Sequence, residues 1–358
     1  MKKRYAYLLG FLVLFSLFSC SKKEDKSKKS LMVGLVTDSG TIEDRSFNQG
    51  AWKGIKLAEK NLGIKKKYIK PKSSKEEDCI AAIKELCEEG YKLLICPGYA
   101  FETAVYDVQG LFKDVMFVIL DGNAHPADSF DAANGPNTVG ITFLENEAGF
   151  LAAVAAALEL KKGSFGFIGG MEIPSVQRFN WGWQQGIIYA NENLGCEIEL
   201  KAENVVYQGS FDDILGGEKL ASEMYDRGVD VIHAAAGAVG VGVIEEAKKR
   251  TEAGQRVWVV GVDVDQYDLG LMINGESVVL TSAMKYIDRA TYDMINDAVN
   301  AEFRGGYSLL FSVKDDAIGI PAENPNLSSE VQSKIDNLIV KIKAGEVKVS
   351  NQRGSLLP

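Results

Sequence analysis

The 358-residue chain holds only two histidines, five cysteines and eight prolines, and each shortage removes a class of chemistry. His125 lies in a polar loop stretch and His233 in an apolar run, so neither assembles a Ser-His-Asp or Cys-His relay. A GxSxG elbow and a Walker loop are absent. The cysteines form no CxxC pair and no Cys/His ligand spacing. Cys79 and Cys87 lie eight apart on one helical stretch, too far for a bond, and no disulfide framework is legible. The cluster "DVDQYD", with Asp263, Asp265 and Asp268, lacks the glycine and closing glutamate of a calcium loop. The expectation is a protein that is not an enzyme, with no metal and no cofactor.

Basic charge is also missing from most of the chain. Net charge is −9, while residues 1–30 alone carry eight Lys/Arg against two acids, or +6. The body from Leu31 therefore carries −15, the difference of −9 and +6. An acidic body without basic patches argues against nucleic-acid binding. An apolar run long enough to span a membrane is lacking as well. The first twenty residues, "MKKRYAYLLGFLVLFSLFSC", set Lys2, Lys3 and Arg4 before an apolar core at 8–18, the layout of a signal peptide. Residues 17–20, "LFSC", look like a lipobox, which makes Cys20 the lipidated residue. Residues 21–30, polar throughout, read as a tether. The expectation is an exported protein, lipid-anchored to the cell membrane on its periplasmic or surface side.

What is present is a regular alternation. Short apolar runs such as "LMVGLVT", "KLLICPG", "MFVILDG", "SFGFIGG", "DVIHAAAG" and "VWVVGVD" alternate with amphipathic stretches at 47–62, 75–88, 100–112, 145–160, 175–194, 212–226, 239–252, 286–303 and 328–344. Apolar strands flanked by helices mean parallel sheets covered on both faces. A body this long exceeds one usual α/β sheet, so two domains are expected. Residues 31–121 and 163–263 repeat the pattern, and each closes on an apolar strand ending in aspartate, Asp121 in "VILD" and Asp263 in "VGVD". The expected division is 31–140 for the first lobe, with part of 264–303, and 141–263 for the second, with part of 304–350.

In such folds ligands sit outside the carboxyl ends of the strands. The stretch "DSGTIEDRSFNQGAW", Asp121, Gly237 and Asp263 all fall there. One cleft can collect the acceptors Asp38, Glu43, Asp44, Asp121 and Asp263 with the aromatics Phe47, Phe179, Trp181 and Phe211. Asp121 and Asp263 suit paired hydroxyls, as a sugar presents them. The aromatic faces suit a stacked base.

The letters "GLVTDSGTIEDRSFNQGAWKG", "VILDG", "GFLAA", "GFIGGMEIPSVQRF", "GVGVIEEA", "VVGVD" and "SAMK" resemble the basic membrane protein family, also called purine nucleoside receptor lipoproteins, over about 32–347. The resemblance, spirochaete-like in its letters, implies a type I periplasmic-binding-protein fold, two doubly wound parallel-sheet lobes with a hinged cleft. It implies a monomeric receptor for purine nucleosides serving an ABC permease and its ATPase subunits. By position it puts the base-binding loop on Asp38, Asp44, Phe47 and Asn48. The ribose contacts fall on Asp121, Asp263 and Lys285, with Gly237 giving backbone. Phe179 and Phe211 both suit the second stacking face. The rival readings are a surface antigen or adhesin and, behind it, a nucleoside hydrolase.

Overall fold

The computed structural model describes residues 30–38 and 40–357; Cys20, the signal segment and nearly all of the tether lie outside them. The chain begins with strand β1 (Met32–Val36), helix α1 (Phe47–Leu62), β2 (Lys65–Ile69), α2 (Glu76–Glu88), β3 (Leu93–Pro97), α3 (Glu102–Gln109), β4 (Met116–Leu120) and β5 (Thr138–Phe143). A second series follows: α4 (Glu145–Leu160), β6 (Lys162–Gly169), α5 (Pro174–Asn193), β7 (Glu197–Tyr207), α6 (Ile214–Asp226), β8 (Val231–Ala235), α7 (Ala238–Glu252), β9 (Trp258–Asp263) and β10 (Val279–Lys285). The chain ends with α8 (Ile287–Val299), β11 (Ser308–Phe311), β12 (Ile318–Gly319) and α9 (Ser329–Ala344).

Two six-stranded sheets result, ordered β11-β5-β4-β3-β1-β2 and β12-β10-β9-β8-β6-β7. All pairings are parallel except β12 on β10. The central strands β3, β8 and most of β4 are buried along their length, as continuous apolar runs between two helical layers require. The edge strand β2, "KKKYI", differs. Its Lys66 and Lys67 pair with Glu59 and Glu89, and an edge dressed in lysine resists pairing with another chain. Charge of one sign is thus concentrated at this edge despite the acidic body.

The chain passes between the lobes three times. Phe143 ends β5 in the first sheet and Glu145 opens α4, which packs against α5 and β10 of the second. Lys285 ends β10 in the second sheet, and α8 returns to pack on α1. The segment between β11 and β12 crosses last, and its Ser312 and Asp315 close a capping box. So 264–303 is divided, with β10 in the second sheet and α8 on the first. The stretch 304–350 is divided too, with β11 in the first and β12 and α9 on the second.

Candidate functional site

The three crossings lie at the β5, β10, β11 and β12 side of each sheet, which leaves the strand ends of β1, β3, β4, β6, β8 and β9 facing one another. Between them lies a partly open cavity lined by residues of both lobes. Asp38, Asp44, Phe47, Asn48, Asp121, Phe179, Phe211, Gly237, Asp263 and Lys285 all line it. Tyr99, Ile173, Ser175 and Val176 join them; they follow the ends of β3 and β6, where strand-end position alone does not separate them from their neighbours.

Asp121 and Asp263 occupy matching places after β4 and β9, and both adopt left-handed backbone, φ 62° and 64°. Aspartate tolerates that conformation better than most residues. Between them stands the Lys285 ammonium, 2.5 Å from Asp121 Oδ2, 3.7 Å from Asp263 Oδ1 and 3.5 Å from Glu145 Oε1. Burial would strip the lysine of its proton, but Asp121, Asp263 and Glu145 outweigh it and raise its pKa. Burial raises Asp263, against the pull of Lys285 and of Ser46, whose Oγ donates to Asp263 Oδ2 at 2.5 Å. Asp121 Oδ1 is buried with no hydrogen-bond partner. The grip on the cavity floor is therefore an acceptor-rich cluster in which Asp121 Oδ1, on the cavity lining, is left to satisfy.

The loop before α1 builds the other end. Asp44 takes Ser46 N and Gln49 N on Oδ1, and Asn48 N and Asn48 Nδ2 on Oδ2, at 2.8–3.0 Å. Those four contacts fill a carboxylate's acceptor sites. Asp44, expected in the base-binding loop, thus lines the cavity while its oxygens cap α1 and hold Asn48. Asn48 Nδ2 in turn donates to Asp38 Oδ1 at 2.8 Å, where Gly40 N also donates at 2.7 Å. Among the described residues nothing donates to Asp38 Oδ2, and Asp38 lines the cavity. Burial pushes the Asp38 carboxyl up to about 6, opposed by the bonds from Asn48 and Gly40.

The aromatics divide. Phe47 and Phe211 are half-buried at the cavity wall, one from each lobe. Phe211 lies so close over Gly170 that a Cβ there would come within 2.3 Å of its ring. Phe179 is 2 % exposed, its ring packed edgewise on His233 at 5.8 Å. Trp181 does not line the cavity. Gly237 opens α7 at φ 58° beside the Phe211 carbonyl, which accepts from Ala238 N at 2.9 Å. Among the described residues no cluster suits a metal ion, and no helix is long and apolar enough to cross a membrane.

Residues 31–353 match the family model described as ABC transporter substrate-binding protein PnrA-like. The chain belongs to this family. It is 31% identical to the ABC transporter nucleoside-binding protein BmpA of Lactococcus lactis, covering 91% of each chain. It is 31% identical to basic membrane protein A of Borreliella burgdorferi, covering 97% of this chain and 96% of that one. It is 33% identical to the CD4+ T-cell-stimulating antigen of Listeria monocytogenes, over 98% of this chain and 99% of the relative. A solute-binding protein of an ABC transporter system from Aeropyrum pernix shares the fold, with TM-score 0.76 at 23% identity over 90% of this chain and 94% of that one. The protein is thus an ABC transporter substrate-binding protein with two α/β lobes.

Proposed function

We propose that the cavity captures a purine nucleoside and presents it to an ABC permease. One observation carries this reading: an aspartate from each lobe, in the same left-handed turn, flanks one lysine, and Asp121 keeps an unpartnered oxygen. Vicinal hydroxyls supply the donors that this cluster lacks, and Lys285 donates to a hydroxyl oxygen in return. The base lies between Phe47 and Phe211, with Phe179 as an apolar wall behind it. Asp38 Oδ2 accepts from the base edge, and the backbone at Gly237 completes the contact. Above its pKa Asp38 is an acceptor only, so it favours edges that present N–H donors, as guanine and hypoxanthine do. The relative named a nucleoside-binding protein supports the same reading.

The protein works as a monomer, exported and lipid-anchored through Cys20, beside its permease and ATPase subunits. The Listeria relative's name supports a second reading, a surface antigen; protease accessibility on intact cells separates the two. Mass spectrometry of ligand released from denatured protein tests the first. A purine nucleoside is expected, and competition titration should rank guanosine and inosine at or above adenosine, all well above uridine. Uridine displacing inosine at equal concentration would refute it.

A further inference from the structure

Behind the cavity the ion pairs continue into a layer that the ligand does not reach. Arg178 Nε donates to Glu145 Oε2 at 2.5 Å, and Glu145 Oε1 stands 3.5 Å from Lys285 Nζ without a hydrogen-bond partner of its own. The Glu145 side chain is 0 % exposed and Lys285 2 %. Neither Glu145 nor Arg178 lines the cavity. Three carboxylates, Asp121, Glu145 and Asp263, thus face two cations, Lys285 and Arg178.

Burying a carboxylate this completely is costly, and an apolar residue of similar size would pack as well. The placement of Glu145 supplies a reason for the cost. It opens α4 on the first crossing between the lobes, and Lys285 ends β10 at the second. Asp121 belongs to the first lobe and Asp263 to the second. Asp121 alone would draw the ammonium to itself, since its contact is the shortest of the three. A carboxylate pulling from the crossing keeps the ammonium within reach of Asp263.

We infer that Glu145, held by Arg178, is a positioning residue: it keeps the Lys285 ammonium between Asp121 and Asp263 and so fixes the spacing at which the two lobes take the hydroxyls of a ribose. The inference rests on the nucleoside reading above and extends it to a side chain that touches no ligand. Burial raises the carboxyl of Glu145, with Asp121 adding to the rise and Arg178 and Lys285 opposing it.

The test couples a residue to a ligand group. Inosine, 2′-deoxyinosine and 3′-deoxyinosine are titrated by calorimetry against the wild type and Glu145→Gln, which preserves size. In the wild type each missing hydroxyl should weaken binding about tenfold or more. In the variant that ratio should shrink by about threefold or more, because the hydroxyl and Glu145 act through one lysine. If all three ligands weaken alike and the ratios hold, Glu145 is structural only and the inference fails.

A second arm needs no ligand. In protein with nitrogen-labelled lysine near neutral pH, the Lys285 ammonium, identified by the absence of its signal in Lys285→Met, should show a lower relaxation order parameter in Glu145→Gln than in the wild type. An unchanged order parameter overturns the inference. If the wild type binds no nucleoside, the functional reading falls, and this arm still decides where Glu145 acts. Should Glu145→Gln fail to fold with Arg178 left unpaired, the double variant Glu145→Gln/Arg178→Gln removes both buried charges and takes its place in both arms.

Discussion

A carboxylate can read a ligand only with oxygens that the protein has not already used. Asp44 has none to spare, and Asn48 spends its amide on Asp38 and Asp44. Asp38 keeps Oδ2 among the described residues, so in the proposed complex that atom would carry the polar reading of the base. Its carboxyl is pushed up to about 6 by burial, with Asp44 adding to the push and Lys70 opposing it. A ligand N–H favours the charged form, so ligand and proton compete. Inosine affinity should hold above that pKa and fall below it, approaching about tenfold per pH unit once the free carboxyl is fully protonated. Asp38→Asn should bind more weakly near neutral pH and lose the slope; a wild-type affinity unchanged from about pH 7.5 to about pH 5 would remove Asp38 from the base edge. At the other end, Asp121→Asn or Asp263→Asn should each cost about 1.5–3 kcal/mol, roughly 10- to 150-fold in nucleoside affinity, and much less for a free base. Calorimetry on folded variants decides it.

Helix α4 is buried on nearly every side, and its sequence "GFLAAVAAALEL" shows why: it presents alanine where a surface helix carries charge. Helix α5 lies close along it. A Cβ on Gly182 would sit 2.0 Å from the Asn146 carbonyl oxygen, and one on Gly149 would sit 2.4 Å from that of Phe179. Backbone rather than a movable side chain occupies that space. Gly182→Ala should therefore push α5 away from α4, costing about 1–3 kcal/mol of stability. Because α5 also carries Arg178 and Phe179, nucleoside affinity should fall with it, which paired thermal melts and titrations would check. If the variant keeps both stability and affinity, the two helices tolerate a wider spacing than their glycines indicate.

Helices of this kind were legible in sequence, since apolar period and turn residues are local signals. So were the buried inner strands, because such strands in a parallel sheet are continuous apolar runs. The strands β11 and β12, four and two residues long, carry too little pattern to read. The cavity residues were legible in part through strand ends and in part through family resemblance. Asp44 shows the limit: its acidic character and the helix start at 47 are both visible in the letters, but not that four donors from that start fill its oxygens. Glu145 and Arg178 show the same limit, because 33 positions separate two charges that meet at a crossing.

At the scale of the whole molecule, the lobes touch through few polar contacts outside the cavity floor. The Tyr99 hydroxyl meets Met171 Sδ at 3.3 Å, Ser46 Oγ meets Asp263, and Gln266 Nε2 donates to the Arg45 carbonyl at 2.9 Å. Against them stands the cavity floor, where Asp121 Oδ1 is buried and unpartnered, a penalty of about 1–3 kcal/mol. Without ligand, opening the cleft returns that oxygen and its neighbouring carboxylates to water. With ligand, hydroxyl donors satisfy it, and closure becomes the lower state. Shifting such an equilibrium from almost all open to almost all closed takes about 5.5 kcal/mol of differential binding, less than the roughly 8 to 12 kcal/mol that a micromolar to nanomolar ligand supplies. Ligand-free protein should therefore scatter as the more extended particle in solution X-ray measurements and contract when saturated with inosine. Tyr99→Phe, which removes the contact to Met171 at the lip, should leave that contraction in place and speed ligand release. A scattering curve identical with and without inosine, under conditions where calorimetry shows the site filled, would mean that the lobes stand closed on their own and that the ligand enters by another route.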